Sequence, residues 1–210
     1  MPLYKSLDLN SQTIVKIWKI SESKEFFMNQ IVLNPESLER VNGMKSELHQ
    51  RGFLSVRMLL SEFGYTDEDL VYDSFRKPHL KDGKHISITH SYNFSAVVVS
   101  SKEVGVDIEK QREKITKIAT KFIGFEDSYL KENDSKLIQK LTRIWCIKES
   151  LYKLYATPGM VFKKHFLVVP FGTESNSTTA WIIHNNNRLK FKAIFMEFEG
   201  FGCAIVGPNL

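Results

Sequence analysis

Apolar and polar positions change period several times along the chain, and each change predicts an element. Ile14-Val15-Lys16-Ile17-Trp18-Lys19-Ile20 is rich in β-branched and aromatic residues and partly alternates, which predicts an opening strand. Asn34 before Pro35 marks a helix start, an N-cap followed by proline at the first helical position. A longer helix is expected from about Met44 to Phe63, with Leu48, Leu54, Met58 and Leu59 inward, Arg51 and Arg57 on its flanks, and Gly64 ending it. Beyond a turn-like stretch around Asp73 and Pro78, the segments 86–89, 94–100 and 104–108 read as three short strands.

The second half follows the same order. Helical segments are expected near 115–122 and 137–155, then strands around 166–169, 180–183, 189–198 and 202–206. The polar run His184-Asn185-Asn186-Asn187-Arg188 predicts a hairpin turn. Strand, helices and a β-meander thus occur twice, without a residue-level repeat and without a Gly/Ser linker. The expected fold class is α+β, as two subdomains packed in one body, 1–102 and 103–210, with the seam near Ser101–Val104.

Composition narrows the class. With 42% apolar and 25% charged residues in 210, the chain has the make-up of a folded protein and not of a disordered or fibrous one. No apolar run approaches the roughly 18 residues of a membrane span. The opening Met1-Pro2-Leu3-Tyr4-Lys5-Ser6-Leu7-Asp8 lacks a basic segment followed by an apolar one, so a soluble, cytoplasmic protein is expected. Two cysteines, Cys146 and Cys203, are too few for a disulfide framework or a four-ligand zinc site, and suit a reducing compartment as free thiols. The net charge of +5 favours an anionic partner. Lys and Arg are dispersed among Asp and Glu, which argues against nucleic acid and leaves a phosphorylated small molecule or an acidic protein.

Candidate chemistry begins at Gly105-Val106-Asp107-Ile108-Glu109-Lys110. On a strand, Asp107 and Glu109 project from one face and Val106 and Ile108 from the other. Two carboxylates about 5–6 Å apart repel by roughly 3 kcal/mol at an effective dielectric of about 20, a cost that a shared cation removes. A solvated strand edge is the plain alternative. Corroboration comes from Trp145-Cys146-Ile147-Lys148-Glu149-Ser150-Leu151-Tyr152-Lys153. On that helix Leu137, Leu141, Ile144, Ile147, Leu151 and Leu154 form an apolar stripe, while Trp145, Glu149 and Lys153 follow one flank at i, i+4 and i+8. Lys148 falls inside the apolar arc, where it either snorkels or holds phosphate oxygens. Glu149 and Lys153 make either a surface ion pair or a third acid ligand beside a phosphate-binding lysine. Asp107, Glu109 and Glu149 are hard oxygen donors, suited to Mg²⁺ or Mn²⁺, and acids with nearby lysines point to a metal–phosphate substrate. His90, flanked by Thr89 and Ser91 at a strand end, is able to bind an anion or transfer a proton, or is an ordinary hydrogen-bonded side chain.

The series Arg76-Lys77-Pro78, Ile88-Thr89-His90-Ser91, Gly105-Val106-Asp107-Ile108-Glu109-Lys110 and Trp145 with Lys148-Glu149-Ser150 and Lys153 resembles the 4′-phosphopantetheinyl transferase superfamily, in its monomeric surfactin-type branch. Order and spacing match from about residue 50 to 156. The resemblance implies two similar α+β subdomains related by a pseudo-twofold axis, with coenzyme A in the cleft between them. It also implies Mg²⁺-dependent transfer of 4′-phosphopantetheine to a serine of an apo acyl or peptidyl carrier protein, releasing adenosine 3′,5′-bisphosphate. Asp107, Glu109 and Glu149 match the family's metal ligands, and Lys153 its pyrophosphate lysine. Lys77 and His90 match residues that hold the phosphates, with Thr89 in a hydroxyl position. Glu126 falls near an acid proposed as the base for the carrier serine, so Glu149, Glu126 and metal-bound water are alternative proton acceptors. One of Arg51 and Arg57 matches the helical arginine for the 3′-phosphate. Arg76 departs from the pattern, standing where the family has glycine. A non-catalytic coenzyme A-binding relative, or another Mg²⁺-dependent phosphotransferase or pyrophosphohydrolase, is the alternative reading; no glycine-rich phosphate cradle is present for the latter.

Overall fold

The computed structural model describes residues 3–131, 133–172 and 174–210. Met1 and Pro2, the first two residues of the N-terminal stretch read above, lie outside the described residues. The chain divides into two compact units, Met1–Ser101 and Lys102–Leu210.

Unit 1 runs β1 (Leu3–Asn10), β2 (Thr13–Lys19), α1 (Lys24–Gln30), α2 (Pro35–Gly43), α3 (Glu47–Glu62), β3 (Leu70–Tyr72), β4 (Pro78–Leu80), β5 (His85–Ser91) and β6 (Phe94–Ser100). Its sheet has the order β1-β2-β6-β5-β4-β3. The strand predicted at 14–20 is β2, but β1 precedes it and pairs with it antiparallel. β1 has no fully buried residue, and Lys5 interrupts the period-two series Leu3, Leu7, Leu9 that would mark its half-buried face. Asn34 caps α2 as expected, its side chain accepting from the Ser37 N–H at 2.8 Å, with Pro35 in the first turn. α3 starts three residues later than the sequence suggests. Leu54 and Leu59 are buried, whereas Leu48, in the first helical turn, is 41% exposed.

Arg57 does not lie on a flank of α3. It is buried, and its Nε donates to Asp67 Oδ1 at 2.9 Å while the guanidinium lies 3.7 Å from the Phe53 ring centroid. The second Asp67 oxygen accepts from the Asn34 N–H, so this ion pair joins the α2 cap to α3 and the segment after it. Between β3 and β4 the turn is organised by Asp73, whose Oδ1 accepts from the Phe75 and Lys77 N–H groups. Arg76 has φ of 63°, a left-handed conformation that glycine adopts without strain.

Unit 2 runs β7 (Gly105–Lys110), α4 (Lys114–Ile118), α5 (Leu137–Tyr155), α6 (Phe162–His165), β8 (Phe166–Val168), β9 (Ser177–His184), β10 (Asn187–Phe198) and β11 (Phe201–Gly207), with sheet order β7-β11-β10-β9-β8. The bounds of α5 are those its apolar stripe predicts. Leu141, Ile144, Ile147, Leu151 and Leu154 are buried in one cluster with Phe166, Phe191, Ala193 and Ala204 of the sheet. The expected asparagine turn is a two-residue hairpin with Asn185 and Asn186 at φ of 49° and 62°, the pair of left-handed positions that such a turn demands. Both cysteines are free and buried. No described helix is long and apolar enough to cross a membrane.

Candidate functional site

β7 lies unusually close to α5. A Cβ added to Gly105 would meet the Ser150 carbonyl oxygen at 1.9 Å, so only glycine permits this approach. The same face of β7 continues through Asp107 and Glu109, and alternation therefore aims both acids at α5, Asp107 toward Lys153 and Glu109 toward Thr142 and Trp145. Gly105 is the positioning residue to which sequence reading gave no role; its signal was a glycine on the same face of the strand as the two acids.

Lys153 closes the arrangement. Its Nζ donates to Asp107 Oδ1 at 2.7 Å and to the Val106 carbonyl at 3.0 Å. Asp107 is 5% exposed, whereas Glu109, Glu149 and Lys153 are half-buried. Glu149, one helical turn before Lys153, has its carboxyl pushed up to about 7, by burial first, then by the Asp107 charge, with Lys153 opposing and Glu109 adding. Asp107, Glu109, Glu149 and Lys153 are thus brought within electrostatic reach of one another. Glu109 also borders an open pocket of about 160 Å³, together with Arg112, Ile115, Ile118, Thr142 and Trp145.

The donor set is chemically right for a hard divalent cation: three carboxylates, one of them already made reluctant to ionise by burial and then by the neighbouring acids. As the side chains stand, one oxygen of Asp107 is held by Lys153. Among the described residues no three His, Cys, Asp or Glu side chains converge tightly enough to hold an ion.

Two residues assigned to chemistry by the sequence are placed elsewhere. Lys148 and Glu126 are both 0% exposed and form a 2.8 Å ion pair. Lys148 therefore neither snorkels nor reaches a phosphate; burial holds its ammonium below the ordinary lysine value, with Glu126 opposing. Glu126, accepting from Val168 N–H as well as from Lys148, is sealed from any carrier serine and is corrected from proton acceptor to structural partner.

In unit 1, His90 is exposed at the end of β5 and its ring lies against α3, where a Cβ on Gly52 would approach it to 3.1 Å. His49, one turn earlier on α3, has its ring centroid 6.4 Å from that of His90. Thr89 is buried and Lys77 half-buried. Of the two arginines, Arg57 is committed to Asp67, while Arg51 is half-buried with Nη2 3.3 Å from the Ile20 carbonyl and a buried Nε that meets no acceptor among the described residues.

Comparison with known proteins gives this geometry a family. Residues 103–205, which hold β7, α5 and all four charged residues of the site, match the model of the 4′-phosphopantetheinyl transferase superfamily. This match and the relative described next both support that superfamily for the chain. It is 25% identical over 155 residues to the 4′-phosphopantetheinyl transferase gsp of Aneurinibacillus migulanus, an alignment covering 70% of this chain and 62% of that protein. The chain thus spans less than two thirds of the length of this relative.

Proposed function

We propose that the chain transfers the 4′-phosphopantetheine group of coenzyme A to a serine of an apo acyl or peptidyl carrier protein in a Mg²⁺-dependent reaction, with Mn²⁺ as an alternative ion. The observation that carries this reading is the ion pair of Lys153 with Asp107 where β7 meets α5, with Glu109 and Glu149 within electrostatic reach of it. Asp107, Glu109 and Glu149 would hold the metal. When bound, that ion supplies positive charge to the diphosphate.

The serine oxygen forms a bond to the β-phosphorus, and the bond from that phosphorus to the bridging oxygen breaks, leaving adenosine 3′,5′-bisphosphate. Negative charge grows on the departing oxygen, and the Lys153 ammonium is suited to oppose it. The hydroxyl proton passes to the Glu149 carboxylate, directly or through solvent. Thr89, Lys77, His90 and Arg51 would hold the phosphates of coenzyme A; Arg51 replaces the choice between two arginines because Arg57 is already paired.

Charge distribution supports an acidic carrier as partner. Unit 2 holds 17 Lys and Arg against 12 Asp and Glu, whereas unit 1 has 12 of each. The whole net charge therefore lies on the half that bears the acids and Lys153, and would steer an acidic domain with an on-rate that falls as salt rises. We take the working form to be a cytoplasmic monomer.

The test is incubation with coenzyme A, Mg²⁺ and several apo carrier proteins, read by intact mass. Addition of one phosphopantetheine to the carrier is expected. Coenzyme A binding without transfer would make the chain a binding relative, and phosphate release from simple pyrophosphates without a carrier would make it a hydrolase. Glu149→Gln should keep the fold and lower transfer by about 100-fold or more, the scale of losing a charged group at a phosphoryl-transfer centre; unchanged turnover at saturating Mg²⁺ removes Glu149 from its role.

A further inference from the structure

The buried pair Lys148–Glu126 touches none of the acids on β7, yet it immediately precedes Glu149 on α5. Its bonding is closed on both sides. Lys148 Nζ donates to Glu126 Oε2 at 2.8 Å, to the Phe122 carbonyl at 2.7 Å and to the Phe162 carbonyl at 3.4 Å, which uses all three of its protons. Glu126 accepts in addition from the Gly124 N–H at 3.1 Å and the Val168 N–H at 2.9 Å. The segment 122–126, the start of α6 and β8 are thereby fastened to one point of α5.

Such a pair is a poor source of stability. Desolvation of two charges offsets most of their attraction, and apolar residues of similar volume commonly do as well. A lysine in the middle of the stripe Ile144, Ile147, Leu151 therefore calls for a reason other than cohesion. Helix geometry supplies one. Successive residues diverge by about 100°, so clamping Lys148 on the inward side fixes the rotation of α5 at that turn. The direction of Glu149 follows from it, as does that of Trp145, whose ring lies 5.0 Å from that of Phe122.

We propose that Lys148 and Glu126 are positioning residues: a buried ion pair that sets the rotation of α5 so that Glu149 faces Asp107 and Glu109. The proposal rests on the transferase reading for its kinetic consequence, while the geometry and a metal-binding readout stand beside it.

The experiment compares the wild-type chain with Lys148→Met/Glu126→Gln. In that variant the new amide oxygen is able to accept from the Val168 N–H, while the Gly124 N–H and the Phe122 and Phe162 carbonyls lose their present partners. The expected result is a folded chain with a lowered melting temperature, the cost of those lost bonds, so the measurements are made well below it. Mn²⁺ affinity, measured by calorimetry without coenzyme A, should weaken about 10-fold, the usual scale for loss of a group that orients a ligand. Carrier modification should show kcat lowered about 10-fold or more with KM for coenzyme A nearly unchanged, as for a misplaced reacting group. The pH dependence of kcat should keep its shape, because neither residue exchanges the serine proton. A folded variant with wild-type Mn²⁺ affinity and kcat overturns the proposal, and loss of a pH limb overturns it in favour of Glu126 as base. If the double variant does not fold, Glu126→Asp, which keeps the charge but draws the carboxylate back by one methylene, is read by the same measurements. Wild-type chain that binds Mn²⁺ but modifies no carrier refutes the transferase reading and leaves the metal-binding arm to decide this one. Wild-type chain that does neither overturns both.

Discussion

The two units use one scaffold differently. Strand order is β2-β6-β5-β4-β3 in the first and β7-β11-β10-β9-β8 in the second, with β1 added at the edge of the first sheet. Each lays a long helix on its sheet, and each stitches that helix to the last strand through a buried serine: Ser55 Oγ lies 2.8 Å from Ser95 Oγ, and Ser150 Oγ donates to the Ala204 carbonyl at 3.0 Å. The leading strands differ. β2 contributes Trp18 to the cluster that includes Phe53, Leu54 and Leu60 of α3. β7 instead presents Gly105, Asp107 and Glu109 to α5. Replacing a bulky apolar contact by glycine lets strand and helix backbones touch, and the acids that follow are turned toward the helix. Chemistry on this scaffold thus needs a local loss of packing, compensated by the continuous apolar cluster of unit 2.

That contrast can be broken at several places. The largest stability effect is expected in unit 1, where Asp67→Ala leaves the buried Arg57 unpaired and should cost about 3–5 kcal/mol, read by chemical denaturation. A loss below about 1 kcal/mol would mean that the guanidinium is held by Phe53 and Ser37 alone. Next is Gly105→Ala, whose methyl group collides with backbone; about 3 kcal/mol is expected, with transfer lost as β7 moves off α5. Its counterpart Gly52→Ala meets only the ring of an exposed histidine at 3.1 Å and gains helix propensity. It should change stability by less than about 1 kcal/mol. Equal losses at the two glycines would refute the difference in packing.

A smaller effect is a pH slope confined to unit 2. Glu149 has a folded carboxyl near 7, above its ordinary 4.5, so between those values the native state holds a proton that the unfolded chain has released. Stability without metal should therefore be highest below about pH 4.5 for this group and decline as pH rises through 7, by at most about 1.4 kcal/mol per pH unit. Hydrogen exchange of α5 amides between pH 5 and 8 should show the decline, Glu149→Gln should abolish it, and Mg²⁺ should oppose it by favouring the ionised form. A slope unchanged in Glu149→Gln would place the responsible proton elsewhere.

Local pattern carried much of this architecture. The period of the apolar stripe marked α5 from Leu137 to Tyr155, a short valine-rich run marked β6 from Phe94 to Ser100, and three asparagines marked the β9–β10 hairpin. Period-two geometry placed Asp107 and Glu109 on one face, and helical spacing put Glu149 and Lys153 on one flank. β1 escaped because its apolar face, Leu3, Leu7 and Leu9, is interrupted by Lys5 and nowhere fully buried.

Tertiary structure alone decided what the charged residues do. Arg57 and Lys148 look like free cations in the sequence because their partners, Asp67 and Glu126, are ten and twenty-two residues away and carry no local sign of pairing. Lys148 did give a hint by standing inside an apolar arc, but whether it reaches solvent or an acid depends on which segment folds over it. Periodicity is a property of neighbours along the chain and is legible there. Pairing of buried charges depends on long-range closure and on the desolvation that follows, so residue type and spacing leave it open.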